Sequence, residues 1–121
     1  MEHRNAIELA AGLAEIRSSP ADGGTVELIV RRPAENERDV LEQGVLDRDE
    51  GLVGDMWRRR GTPNPDAQVT LMNARAIALI AGSPERWPLA GDQLYVDLDL
   101  GVDNLPPGTR LQVGSAVLEI T

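Results

Sequence analysis

The chain has 121 residues, 41% of them hydrophobic and 26% charged, which fits one domain burying roughly 65% of the surface its unfolded form exposes. A net charge of −8 sets it against duplex nucleic acid and anionic membranes, whose binding depends on neutralising phosphates. There is no Cys, and all twelve basic residues are Arg. Thiolate nucleophiles, disulfides, thiolate metal ligands and Lys Schiff bases, covalent pyridoxal phosphate included, are therefore excluded.

The one His is His3, so a His-based triad or a His-rich zinc site cannot be built within this chain. The aromatics are Trp57, Trp87 and Tyr95, leaving a core of Leu, Val, Ile and Ala and no stacking platform for single-stranded nucleic acid. No apolar run approaches the ~20 residues that span a bilayer, and Met1 to Arg4 opens no signal peptide. A cytoplasmic location is expected.

In chain order, Asn5 to Arg17 reads as an amphipathic helix. Leu9, Leu13 and Ile16 recur at helical spacing, and Glu2, Glu8, Glu15, Arg4 and Arg17 form the wetter side. Ser18 to Gly24 is a loop, so residues 1–24 form a leading helix and linker ahead of a main domain at 25–121. Thr25 to Arg31 alternates as a strand stopped by Pro33. Glu37 to Gln43 suggests one helical turn, Gly44 to Asp47 a short strand, and Glu50 to Gly61 a Gly-bounded loop. After the turn Pro63-Asn64-Pro65-Asp66, Gln68 to Met72 reads as a strand.

Asn73 has the character of an N-cap for a helix over Ala74 to Ala81, with Gly82 as its stop. Ser83-Pro84-Glu85-Arg86 starts another short helix. Gln93 to Leu100 alternates, which predicts Leu94, Val96, Leu98 and Leu100 facing inward and Gln93, Tyr95, Asp97 and Asp99 outward. Gly114-Ser115 predicts a two-residue hairpin turn of type II′. Its register sets Val113 opposite Ala116 and Leu111 opposite Leu118 on the core face, with Arg110 opposite Glu119 on the wet face. The apolar strand at Thr121 is either a sheet edge or, the reading preferred here, the place where a longer domain is interrupted.

Two blocks of this sequence resemble the MOSC family, the domain shared with molybdenum-cofactor sulfurases. Glu50-Gly51-Leu52-Val53-Gly54-Asp55-Met56-Trp57 resembles the family's Gly-Leu-x-Gly-Asp loop. Gly91-Asp92-Gln93-Leu94 through Asp97-Leu98-Asp99-Leu100, Asn104-Leu105-Pro106-Pro107-Gly108-Thr109-Arg110-Leu111, Val113-Gly114 and Ala116 to Thr121 resemble its Gly-Asp-x-Leu … Leu-Pro-x-Gly-x-x-Leu-x-x-Gly-x-x-x-Leu-x-Val-Thr stretch. With the strand and helix between them, the likeness covers most of residues 44–121. The resemblance implies a mainly β fold with short helices (α+β), a MOSC-like β-barrel, complete or incomplete. It also implies a link to molybdenum-cofactor or sulfur-carrier metabolism. Family members are thought to use a cysteine beyond the strand that ends here at Thr121. Without it the chain is expected to bind a ligand or partner and not to catalyse alone. The molybdenum cofactor or another anionic ligand is the implied cofactor. A partner chain, or a second copy, would complete the barrel. The alternative is a structural interaction module that pairs through an exposed sheet edge.

Arg58-Arg59-Arg60 next to Gly61 is the candidate anion-binding run, since consecutive guanidiniums on a loop grip phosphate or oxyanion. The plainer reading is a solvated loop paired with Asp47, Asp49 and Glu50. Gly54-Asp55 would orient a ligand through backbone N–H groups, or make a tight turn with Asp55 bonding its own backbone. Asp97, Asp99 and Asp103 lack the glycine turn and distal Glu of a Ca²⁺ loop, and Asp47-Arg48-Asp49-Glu50-Gly51 fails likewise. No metal ligand set and no catalytic residue is assigned. Trp57 and Trp87 read as packing anchors.

Overall fold

The computed structural model describes residues 5–59 and 63–121. The chain folds as mixed α and β. Helix α1 (Ala6–Arg17) is followed by strands β1 (Thr25–Arg31), β2 (Asp39–Leu41), β3 (Leu46–Asp47), β4 (Gly51–Leu52) and β5 (Leu71–Asn73). Helix α2 (Ala74–Ala81), β6 (Leu94–Asp97), β7 (Arg110–Val113) and β8 (Ala116–Glu119) complete the order, with 3₁₀ segments at Trp57–Arg59, Pro65–Ala67 and Pro84–Ala90.

Strand β6 organises the molecule. It lies inside a four-stranded sheet of order β2-β1-β6-β5, antiparallel to β1 and parallel to β5. One face carries Tyr95, which packs with Val30, Ala74, Ile77 and Trp87 beneath α2 and the 84–90 segment. The other carries Leu94 and Val96, which join Leu98, Leu105, Leu111, Leu118 and Ile120 under the β7–β8 hairpin. A strand covered on both faces cannot show polar-out alternation. Tyr95 and Gln93, expected to point outward, are therefore 0% and 4% exposed. Tyr95 tolerates this because its hydroxyl donates to the Trp87 carbonyl at 2.8 Å, while the two rings sit 5.8 Å apart at 37°.

The hairpin has the expected register, with Arg110 opposite Glu119, Leu111 opposite Leu118 and Val113 opposite Ala116. Gly114 supplies the positive φ of +59°, and Ser115 does not share it, which selects the II′ over the I′ turn.

Other expectations are corrected. The 37–43 stretch forms strand β2 in place of a helical turn, because Val40 pairs with Val30 and Asp39 bridges Arg31 at 3.0 Å. Within the expected 50–61 loop, Gly51 and Leu52 are buried and pair with β3. The strand expected at 68–72 begins only at Leu71 and runs into Asn73, which also caps α2 by accepting from the Ala76 N–H at 2.8 Å. The strand expected at 93–100 is confined to 94–97. Helix α1 begins at Ala6, with Asn5 as its cap instead of its first residue; none of its residues is buried, and Leu9 and Leu13 stay 42% and 47% exposed. It rests on α2 through Gly12, where a Cβ would lie 2.5 Å from Leu79 Cδ1. Glu2 and Arg4 lie outside the described residues.

The ladders stop at β2 and β5 in the main sheet, and β7 pairs only with β8. Among the described residues the strands form three separate sheets and no closed barrel. No helix among them is long and apolar enough to cross a membrane.

Candidate functional site

The chain leaves β1 at Arg31, and the next residue, Arg32, is held by the Gly54-Asp55 loop. One Asp55 carboxylate oxygen accepts from the Arg32 N–H at 2.7 Å, and the other from the Trp57 N–H at 3.0 Å. The Met56 N–H donates to the Arg32 carbonyl at 2.7 Å. Asp55 is itself buried, so its two oxygens satisfy backbone donors that water does not reach. Gly54 makes the approach feasible, with φ of +88° and a position where a Cβ would sit 2.7 Å from an Arg31 guanidinium nitrogen.

From this anchored backbone the Arg32 side chain reaches the Gly91-Asp92 turn, where a Cβ on Gly91 would lie 3.7 Å from Arg32 Nη1. The two Gly-Asp elements of the sequence thus meet on one arginine. Arg32 Nε is buried and has no hydrogen-bond partner. A buried N–H left unpaired is costly, of the order of 1–3 kcal/mol, and so is a natural place for an acceptor to bind. Arg32 itself lines a cavity of about 300 Å³ together with Asp55, Trp57, Asn64, Thr70 and Gln93 among others.

Thr70 and Gln93 are locked to each other. The Thr70 N–H donates to Gln93 Oε1 at 3.0 Å, and the Gln93 N–H donates to Thr70 Oγ1 at 3.1 Å. Because Oε1 is committed, the Gln93 amide nitrogen is left as a donor. Asn64 has the same arrangement, its Oδ1 accepting from the Asp66 N–H at 3.0 Å. The cavity lining therefore includes three donor-bearing side chains: Arg32, Asn64 and Gln93. Beside it, burial pushes the Asp92 carboxyl above its ordinary value, against the opposing pull of a Thr70 hydrogen bond and the Arg32 charge. Burial likewise raises the Tyr95 hydroxyl, with the nearby Asp92 charge adding to it.

The residues singled out from sequence are placed as follows. Asp55 lines the cavity, and Gly54 beside it makes the turn with a positive φ, as the tight-turn reading anticipates, although Asp55 also bonds a residue 23 positions away. Arg58 and Arg59 are exposed on the 57–59 segment, where the Arg59 guanidinium donates to the Pro33 carbonyl. Arg60 lies outside the described residues. Asp47 caps the N–H groups of Asp49 and Glu50, and among the described residues the salt bridges are Arg31–Asp39 and Arg75–Asp97. Trp87 is a packing anchor, while Trp57 lines the cavity. Asp97 is engaged by Arg75 at 2.8 Å, and Asp99 caps the Gly101 N–H. No group of three or more potential metal ligands occurs among the described residues.

Arg32, Thr70 and Gln93 escaped the sequence reading. Arg32 sits in Arg31-Arg32-Pro33 at a strand end, a weaker signal than three consecutive arginines. Compared with family models, curated proteins and solved structures, the chain matches none.

Proposed function

We propose that this chain is a MOSC-like ligand-binding module of the cytoplasm that holds a small oxyanion, or the phosphate end of a larger ligand, in the Arg32 cavity. The observation that carries the reading is the buried, unpartnered Arg32 Nε at the meeting point of the two Gly-Asp blocks. A donor-rich lining with a guanidinium suits an acceptor-only ligand. A volume of about 300 Å³ is at the small end of ligand pockets, so it fits an oxyanion or phosphate group better than a whole pterin cofactor. Toward the molybdenum cofactor the residues fit its phosphate end, which Arg32, Asn64 and Gln93 would hold. They supply no thiolate for the metal, since the chain has no Cys. The module accordingly binds without catalysing alone, and any sulfur-bearing group comes from elsewhere.

The test is calorimetric titration of phosphate and molybdate into wild type, Arg32→Ala and the double variant Arg58→Ala/Arg59→Ala, with Trp57 fluorescence as a second readout. Arg32→Ala is expected to lose at least tenfold in affinity, while the loop double variant keeps it. Equal binding by wild type and Arg32→Ala, or no binding by wild type, overturns the proposal.

A further inference from the structure

We infer that the groove between β5 and β8 accepts an extended, basic segment of another polypeptide, added as a strand along the β8 edge. This inference does not depend on the Arg32 reading. The groove, of about 490 Å³, is walled by Val69 and Leu71 on one side and by Val117 to Thr121 on the other, with Leu100 and Leu105 in its lining. Leu71, Leu100, Leu105, Leu118 and Ile120 belong to the apolar cluster under the hairpin, so the groove extends the core to the surface.

The backbone decides what kind of occupant fits. In an antiparallel ladder, alternate residues direct their N–H and C=O to opposite sides. The Ile120 N–H donates to the Thr109 carbonyl at 2.8 Å, and its carbonyl accepts from the Gly108 N–H at 2.7 Å. Ile120 is thus turned toward the β7 side, and Glu119 turns outward. By the same alternation Leu118 faces β7 and Val117 faces outward. Among the described residues strand β8 has no second neighbour. Its outward donors and acceptors line the groove and form an edge of the kind that captures an added strand. Alternate side chains of that strand would lie on Leu71 and Leu105, with the others outward.

Charge selects the partner. Among the described residues the charged side chains lining the groove are Asp66 and Glu119, with no Arg among them, in a chain of net charge −8. A second copy of this chain would bring like charge, whereas a segment alternating apolar residues with Lys or Arg brings opposite charge at its outward positions.

The experiment titrates two ten-residue peptides, one alternating Val with Lys and one alternating Val with Glu, into the ¹⁵N-labelled protein. The Val/Lys peptide is expected to shift the amide signals of Val117 and Glu119 and to bind at least tenfold more tightly than the Val/Glu peptide. Val117→Pro removes an outward N–H without touching the β7 ladder, a placement proline tolerates, and should lose at least tenfold while circular dichroism stays unchanged. Glu119→Pro is the second block should Val117→Pro unfold the hairpin, and Glu119→Lys should weaken the Val/Lys peptide severalfold. Arg32→Ala should bind the peptide as wild type does. Equal affinity for the two peptides, retention by both proline variants, or a dimer by light scattering that Val117→Pro dissolves overturns the inference.

Discussion

The Asp55 carboxylate holds the Arg32 N–H at 2.7 Å across 23 residues of chain, and with its other oxygen it holds the Trp57 N–H. This buried side chain therefore fastens the loop after β4 to the end of β1 and sets where the Arg32 guanidinium starts. Asp55→Ala leaves two backbone donors without partners, and each such loss costs about 1–3 kcal/mol. Urea unfolding should show a destabilisation of about 2–4 kcal/mol together with weakened oxyanion binding. Asp55→Asn keeps one acceptor oxygen and should recover about half of that stability. Equal stability of Asp55→Ala and wild type would show that the loop is held by other contacts.

Tyr95 tests the claim that β6 is buried on both faces. Its hydroxyl donates to the Trp87 carbonyl, and its ring is enclosed by Val30, Ala74, Ile77 and Trp87. Tyr95→Phe keeps the ring and should cost about 1–2 kcal/mol, whereas Tyr95→Ala opens a cavity and should cost about 3–5 kcal/mol. A difference of less than about 1 kcal/mol between the two, measured by urea unfolding, would place the ring nearer solvent than the structure does.

These two residues also mark where sequence reasoning reaches its limit. The hairpin was legible because its turn residues, its apolar pairs and the Arg110–Glu119 pair all specify one register locally. Alternation in Gln93 to Leu100 was equally visible, but alternation reports one buried face and is silent about a second layer. That layer was added by α2 and Trp87, whose approach no local pattern encodes. Strand β2 was hidden because it is an edge, with Val40 58% exposed, so burial imposes little pattern on it. At the candidate site, Gly54-Asp55 was readable as a turn. The bond from Asp55 to Arg32 was not, because tertiary folding creates it and no spacing foretells it. Three adjacent arginines drew attention that the single guanidinium beside Pro33 did not.

Asn73 joins three parts of the fold. Its side-chain oxygen caps α2 through the Ala76 N–H, and its amide nitrogen donates to Ser19 Oγ at 3.0 Å and to the Leu98 carbonyl at 2.9 Å. The cap is worth about 1 kcal/mol, and the two donated bonds about 1 kcal/mol each. Asn73→Asp keeps the cap and loses both donated bonds, while Asn73→Ala loses all three. Thermal unfolding should therefore rank wild type above Asn73→Asp and Asn73→Asp above Asn73→Ala. Hydrogen exchange should show earlier opening around Ser19 and Leu98 in both variants. Equal Tm values for the Asp and Ala variants would assign the whole effect to the amide donors.

Asp92 gives the pH dependence. Burial raises its carboxyl above the ordinary aspartate value of 3.8, and the Thr70 hydrogen bond and Arg32 charge, which act the other way, do not cancel that rise. The folded chain then binds this proton more tightly than the unfolded chain. Stability from this group is fully present below pH 3.8 and is lost as pH rises through the raised value. At pH 7 the ionised carboxylate is a net cost. Asp92→Asn removes the titration, keeps an oxygen for Thr70, and takes a negative charge away from Arg32. Its Tm should exceed that of wild type at pH 7, with the gap closing as the pH falls through the raised value toward 3.8. The same variant should bind phosphate more tightly at pH 7, because the ligand no longer meets a neighbouring carboxylate. A lower Tm for Asp92→Asn at pH 7 would mean that the attraction to Arg32 outweighs burial and would reverse the sign.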